Sequence, residues 1–240
     1  MGNGFVDWFS RSYKGIIVGL LAVFAATMVV LAMQHVDSSK AAVGATPRSV
    51  TYQAQNAEQS STVAFIGDSY TGGTGASAKD QAFPQVLAAR EGWTAAVVAC
   101  GGGGYVNPGN CGTAYPDHLS EAIDAKPDIV IVSGGRNDIK SSASEVQANA
   151  TATFHKLREA LPNAKLYVTS PIWDDDDPAA ALAGIQTAVR AAATATGATY
   201  IDIGEPLTGR ADLLIDDSIH PNDAGHAAIA DAIQAALPKS

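Results

Sequence analysis

The chain has 240 residues, 47% of them hydrophobic, which is enough apolar material to bury a sizeable core. Its formal net charge is −9, with Arg11, Lys14 and Lys40 against Asp7 and Asp37 giving +1 on residues 1–40 and leaving −10 on residues 41–240. An acidic balance of this kind argues against a nucleic-acid partner, because phosphate binding draws on clustered Lys and Arg.

Residues 1–14 precede a charge-free stretch of nineteen residues, Gly15 to Met33, GIIVGLLAVFAATMVVLAM. That is close to the ~20 residues that cross a hydrocarbon core as a helix, so a membrane segment is predicted over 15–33. Arg11 and Lys14 lie before it, which keeps the N-terminus in the cytoplasm and sends everything after Met33 outside. A cleaved signal peptide usually has a shorter apolar core, yet Val43-Gly-Ala45 is a tolerable cleavage site. An uncleaved segment gives a single-pass membrane protein with an external domain; cleavage gives a secreted one. A buried soluble helix fits less well, since the segment is apolar on all sides. Residues 34–61, poor in large apolar side chains and rich in Ser, Gln and Ala, read as a flexible tether.

From Thr62 to Ser240 short apolar runs alternate with helical patterns. Strands are predicted at Val63–Ile66, Ala95–Ala99, Ile129–Val132, Leu166–Thr169 and Tyr200–Ile203. Between them Val146, Ala150, Phe154, Leu157 and Leu161 repeat at helical spacing, as do Leu182, Ile185, Val189 and Ala193. A last helix is expected from Asn222, a good N-cap, with Ile229, Ile233 and Leu237 on one face. Such alternation builds an α/β domain, a parallel five-stranded sheet with helices on both faces. Ligands of such sheets gather at the carboxyl ends of the strands.

The first strand ends in Gly67-Asp-Ser-Tyr-Thr-Gly-Gly-Thr-Gly75. A phosphate loop needs Lys where Gly73 stands, a dinucleotide fingerprint G-x-G-x-x-G is missing, and the nucleophile elbow G-x-S-x-G fails at Thr71. What remains is a serine nucleophile whose partners lie elsewhere. A serine hydroxyl needs a base within hydrogen-bond reach, and the base needs an orienting group. Among the histidines, His35 adjoins the membrane segment, and His118 and His155 fall in helical patterns without a well-placed acid. His220 follows Asp217 by three residues in Ile215-Asp-Asp-Ser-Ile-His-Pro-Asn222. On a turn, that spacing lets the carboxylate reach the far ring nitrogen and fix the tautomer. An oxyanion needs donors as well. Asn137, in Gly134-Gly-Arg-Asn-Asp138 after the third strand, could extend its amide into the crevice, and Gly101 to Gly104 after the second strand expose backbone N–H groups.

Taken together, Gly67-Asp-Ser69, Gly135-Arg-Asn-Asp138 and Asp217-Ser-Ile-His220 resemble the blocks of the SGNH hydrolases, the GDSL esterase/lipase family. The resemblance spans about Val63 to Leu237 and implies a flavodoxin-like three-layer α/β/α sandwich. It implies Ser69 as nucleophile, His220 as general base and then acid, and Asp217 as its orienting partner. Oxyanion donors would be the Ser69 N–H, a glycine N–H of the second block, placed at Gly102, and the Asn137 side chain. Tyr70 stands where the family usually has Leu, a departure expected to affect packing behind the serine. The implied activity is hydrolysis of carboxylic esters through an acyl-enzyme, with no metal or organic cofactor, on a small-molecule, glycan or lipid ester. An O-acyltransferase or deacetylase of cell-envelope polysaccharide is the closest alternative, and a non-catalytic cleft-binding module is the alternative of another class.

Asp68 and Asp138 are expected to make structural hydrogen bonds. The run Trp173-Asp-Asp-Asp-Asp-Pro178 follows the fourth strand. It could be read as a calcium loop, but Asp177 as the cap of a helix starting at Pro178 accounts for it more simply. Trp173 either lines the substrate cleft or packs under the loop. Cys100 and Cys111, the only two cysteines, could pair across their short loop in an oxidising compartment, against the alternative of two buried thiols. Their spacing is not a zinc pattern.

Overall fold

The computed structural model describes residues 60–239. The predicted membrane segment 15–33 and all but the last two residues of the tether lie outside them. Among the described residues no helix is long and apolar enough to cross a membrane.

Five strands form one parallel sheet: β1 (Thr62–Gly67), β2 (Thr94–Ala99), β3 (Ile129–Val132), β4 (Lys165–Thr169) and β5 (Thr199–Ile201). Their spatial order is β2-β1-β3-β4-β5. The chain winds outward from β1 in both directions, which opens a crevice beyond the carboxyl ends of β1 and β3. Registers pair Ile66 with Val98 on one side and with Val132 on the other, so the three strand ends lie level. The predicted strands hold to within a residue except the last. β5 stops at Ile201, and Ile203 gives its N–H to Ser170 Oγ at 3.0 Å instead of to a ladder partner.

Helices α1 (Phe83–Glu91), α2 (Ser120–Asp124), α3 (Ala143–Ala160), α4 (Ala180–Ala195) and α5 (Asp223–Ala236) cover the sheet. Because side chains alternate along a strand, β1 serves both faces. Ala64 and Ile66 pack with Val130, Val132, Phe154, Leu157 and Val189 beneath α3 and α4, whereas Val63 and Phe65 pack with Phe83, Leu87, Ile131, Ile229 and Ile233 beneath α1 and α5. The result is helix, sheet, helix in three layers. α3 starts with a capping box in which Ser142 and Glu145 satisfy each other's backbone N–H. α5 starts at Asn222, whose Oδ1 accepts from Gly225 N–H at 3.1 Å.

Asp177 is not a helix cap. α4 begins at Ala180 behind Ala179, with no side-chain cap bond and no acid in its first turn. The carboxylate in this run that acquires a role is Asp174, buried against Arg136 Nη2 at 2.6 Å. That bond holds the start of the segment at Arg136, three residues short of Asp177. Among the described residues no group of acids, histidines or cysteines is arranged to hold a metal.

Candidate active site

The loop after β1 is shaped by Gly67. A Cβ there would lie 2.0 Å from Thr71 Oγ1 and 2.8 Å from the Ser133 carbonyl, so only glycine lets the chain fold back so tightly. Asp68, buried behind the turn, accepts the Tyr70 N–H on Oδ1 at 2.9 Å. Burial pushes its carboxyl up to about 6, against the opposing pull of the Tyr70 N–H and the Arg136 charge. The turn leaves Ser69 facing the crevice. Its hydroxyl lines an open cleft of about 380 Å³ with Thr74, Gly101, Gly102, Asn110, Arg136, Asn137, Ile219 and His220.

His220 arrives on a hairpin that runs from Leu213 to Asn222. Asn222 N–H bonds Leu213 O at 2.8 Å and Ile215 N–H bonds His220 O at 2.9 Å. At its tip Ser218 adopts φ +58°, and Asp217 Oδ1 accepts both the Ile219 and His220 N–H groups at 2.9 Å. This turn brings Asp217 Oδ2 to 2.6 Å from His220 Nδ1. The His220 N–H, followed by its ring, holds the Asp217 carboxyl down to about 2, so it is an ionised acceptor. In a neutral imidazole this acceptor draws the proton to Nδ1 and leaves the lone pair on Nε2. That lone pair meets Ser69 Oγ at 3.0 Å.

The glycine run after β2 is held by Asp138, which accepts N–H groups from Tyr105, Val106 and Asn107 at 2.8, 3.0 and 2.9 Å. Burial raises the Asp138 carboxyl despite these three donors. Within the run, Gly103 N–H bonds Cys100 O and Gly104 N–H bonds Asn107 O, both at 2.9 Å. The N–H groups of Ser69, Gly101 and Gly102 make no hydrogen bond among the described residues. Cys100 and Cys111 are paired as a disulfide, with Cα atoms 5.9 Å apart, and close this same loop. Asn137 Nδ2 donates to Gly103 O at 2.9 Å and sits a loose 3.4 Å from Asp68 Oδ2.

Ser69, Gly102, Asn137 and His220 thus share one cleft, with Asp217 behind the histidine. Trp173 does not line it. The Arg136 guanidinium covers the Trp173 ring at 4.2 Å, and Trp173 borders a neighbouring cavity of about 270 Å³ with Asn107, Asn137, Ile139 and Lys140. His155 is exposed on α3 and His118 half-buried, both away from the cleft.

A fifth histidine, His226, carries structure that sequence reasoning passed over. It is fully buried on α5, stacked on Phe83; Nδ1 accepts the Phe83 N–H at 3.3 Å and Nε2 faces Thr74 O at 3.2 Å. Burial lowers its pKa, so it stays neutral. The signal was available: His226 continues the apolar stripe of Ile229 and Ile233 at a spacing of three.

The sequence matches the GDSL-like Lipase/Acylhydrolase family over residues 65–228, which takes in every one of these side chains. The chain belongs to that family. This GDSL hydrolase is an enzyme acting on ester bonds. It is 35% identical over 182 residues to the GDSL lipase Rv0518 of Mycobacterium tuberculosis, covering 71% of this chain and 79% of that one. Two solved structures share the fold. The psychrotrophic esterase EstA from Pseudoalteromonas sp. is 18% identical at a TM-score of 0.60, covering 73% of this chain and 96% of that one. A two-domain esterase active on acetylated mannans is 17% identical at a TM-score of 0.57, covering 73% of this chain and 48% of that one.

Proposed function

We propose that this GDSL hydrolase cleaves carboxylic esters through an acyl-enzyme built on Ser69. Ser69 Oγ attacks the ester carbonyl while His220 Nε2 takes the hydroxyl proton. The oxygen that becomes negative is met by the N–H groups of Ser69 and Gly102 and by Asn137 Nδ2. Collapse of the tetrahedral intermediate breaks the C–O bond, and His220 returns the proton to the departing alcohol. Water then attacks the acyl-enzyme, with His220 deprotonating it, and the acid leaves as Ser69 regains its proton. Asp217 stabilises the imidazolium in both halves. The observation that carries this reading is the unbroken relay from Asp217 Oδ2 through the His220 ring to Ser69 Oγ, with contacts of 2.6 and 3.0 Å.

Hydrolysis of p-nitrophenyl acetate, and labelling by a fluorophosphonate, should both vanish in Ser69→Ala. Well-folded wild-type protein that turned over no ester would favour the cleft-binding module instead. A second reading is deacetylation of a cell-envelope glycan, to which Thr74, Asn110, Arg136 and Asn137 in the cleft offer polar side chains. Release of acetate from acetylated polysaccharide, compared with release from long-chain esters, separates the two. With its charge-free segment at 15–33 behind Arg11 and Lys14, the chain is proposed to hold this domain outside the membrane.

A further inference from the structure

Tyr70 is the residue directly after the proposed nucleophile, and its side chain is 2% exposed. It runs beneath the cleft to the hairpin that carries His220, where its hydroxyl donates to the Ile219 carbonyl. Its ring meets the His220 ring edge-to-face, centroids 5.8 Å apart at 62°. On another side the Arg136 guanidinium lies 5.7 Å from the Tyr70 centroid, which fixes the phenol in place.

The Ile219 carbonyl and the His220 N–H belong to one peptide plane. That plane is held at both edges. Asp217 Oδ1 takes the N–H at 2.9 Å, and the Tyr70 hydroxyl supplies the only hydrogen bond to the C=O among the described residues. His220 Cα lies in this plane and carries the Cβ of the imidazole out of it, so the pair of bonds helps set the direction of the side chain. Without the phenol the plane would be held on its N–H side alone. The tip of the hairpin is otherwise open: Ser218 sits at φ +58° and Ile219 is 40% exposed.

We infer that Tyr70 is a positioning residue for the reaction: through the Ile219–His220 peptide it sets the imidazole against the hydroxyl of its own neighbour, Ser69. The inference rests on the Ser69 and His220 roles proposed above. It explains why a phenol occupies the place behind the serine, where an aliphatic side chain would fill the space without reaching the carbonyl. Burial raises the Tyr70 phenol, so it is a donor at neutral pH.

The test is Tyr70→Phe, which keeps the ring and removes the donor. Rates of p-nitrophenyl acetate hydrolysis are normalised to the sites that a fluorophosphonate labels at saturation, so that any unfolded fraction drops out. Misplacement of the base by a fraction of an ångström predicts a fall in kcat of roughly 10- to 100-fold. KM should stay within about threefold, and the fluorophosphonate inactivation rate constant should fall with kcat, because no substrate-binding group is touched. A Tyr70 that merely filled space would lower the melting temperature of the variant and leave kcat per labelled site unchanged, and that result overturns the inference. Should Tyr70→Phe fail to fold, Tyr70→Met removes the same hydroxyl with a flexible apolar filler and carries the same expectation. Ser69→Ala separates the two levels. If it remains active, the serine reading itself falls; if it is dead while Y70F turns over like wild type, only the role of Tyr70 falls.

Discussion

Replacing Asp217 by Asn removes one charge and little else. In Asp217→Asn the remaining side-chain oxygen can still accept the Ile219 and His220 N–H groups, each now bonded at 2.9 Å, so the hairpin keeps its turn. The new amide NH2 then stands where Oδ2 now lies, 2.6 Å from His220 Nδ1. Two donors cannot share that contact, and the imidazole moves its proton to Nε2. Nε2–H faces Ser69 Oγ with no lone pair to offer, so the base is lost although no heavy atom has moved. A tautomer switch of this kind in a serine triad costs about 10⁴ in kcat, equivalent to roughly 5.5 kcal/mol of transition-state stabilisation. Asp217→Ala strips the two backbone bonds as well and should add a stability loss of about 1–2 kcal/mol that Asp217→Asn does not show. The assay is the initial rate of p-nitrophenyl acetate hydrolysis from pH 5 to 9, with a thermal melt of each variant. Asp217, held down to about 2, stays ionised throughout, and the stability it lends is lost only as pH falls from about 4 toward 2. Asp217→Asn turning over within tenfold of wild type, in a protein that melts like wild type, would refute the orienting role.

The buried titratable groups and the disulfide carry three further expectations. Asp68 is raised to about 6, so its contribution to stability is fully present below about 4 and is lost as pH rises through 6; Asp68→Asn should abolish that slope, worth on the order of 3 kcal/mol, in denaturant melts from pH 4 to 7. His226 has a lowered pKa, so its contribution is present above its unfolded value of 6.5 and is lost as pH falls below it. His226→Leu should flatten that slope and cost roughly 2–3 kcal/mol at neutral pH, measured by urea unfolding, because the Phe83 N–H and Thr74 carbonyl lose their partner. Reduction of Cys100–Cys111 opens the glycine loop and should cost about 2–3 kcal/mol; intact-mass spectrometry of the untreated protein should read two hydrogens fewer than the reduced form.

The central strands β1 and β3 were legible because they are unbroken apolar runs buried on both faces, and such runs have few other uses. The three longest helices announced themselves by periodicity. α1 and α2, of nine and five residues, did not, since one pair of turns burying Phe83 and Leu87 and a single buried Ala122 carry too little pattern to count. Asp217 and His220 were readable because both lie on one turn, where spacing in sequence is spacing in space. Trp173 stayed open between lining the cleft and packing under the loop, because its surroundings depend on Arg136, thirty-seven positions earlier in the chain, which covers its ring beside a neighbouring cavity. The same guanidinium recruits Asp174 from the acidic run. Tyr70 was noticed only as a departure from the family's usual residue; its partner, the Ile219 carbonyl, is a backbone group that no side-chain pattern encodes.

The doubly wound order explains how loops far apart in sequence come to share hydrogen bonds. β2, β1 and β3 are neighbours, so their C-terminal loops emerge side by side, and Asn137 stands among them with its amide on Gly103 from the β2 loop and near Asp68 from the β1 loop. The next residue, Asp138, fixes the far end of the glycine run, approaching so closely that a Cβ on Gly104 would lie 2.5 Å from its oxygens. Asn137 and Asp138 together therefore clamp the β2 loop at two points, and within the glycine run the N–H groups that make no hydrogen bond among the described residues are those of Gly101 and Gly102, two residues that line the cleft. Donors that are unpaired in the resting protein, on a backbone already anchored, need no reorganisation when an oxyanion forms. A loosened clamp should then appear in kcat before it appears in substrate affinity.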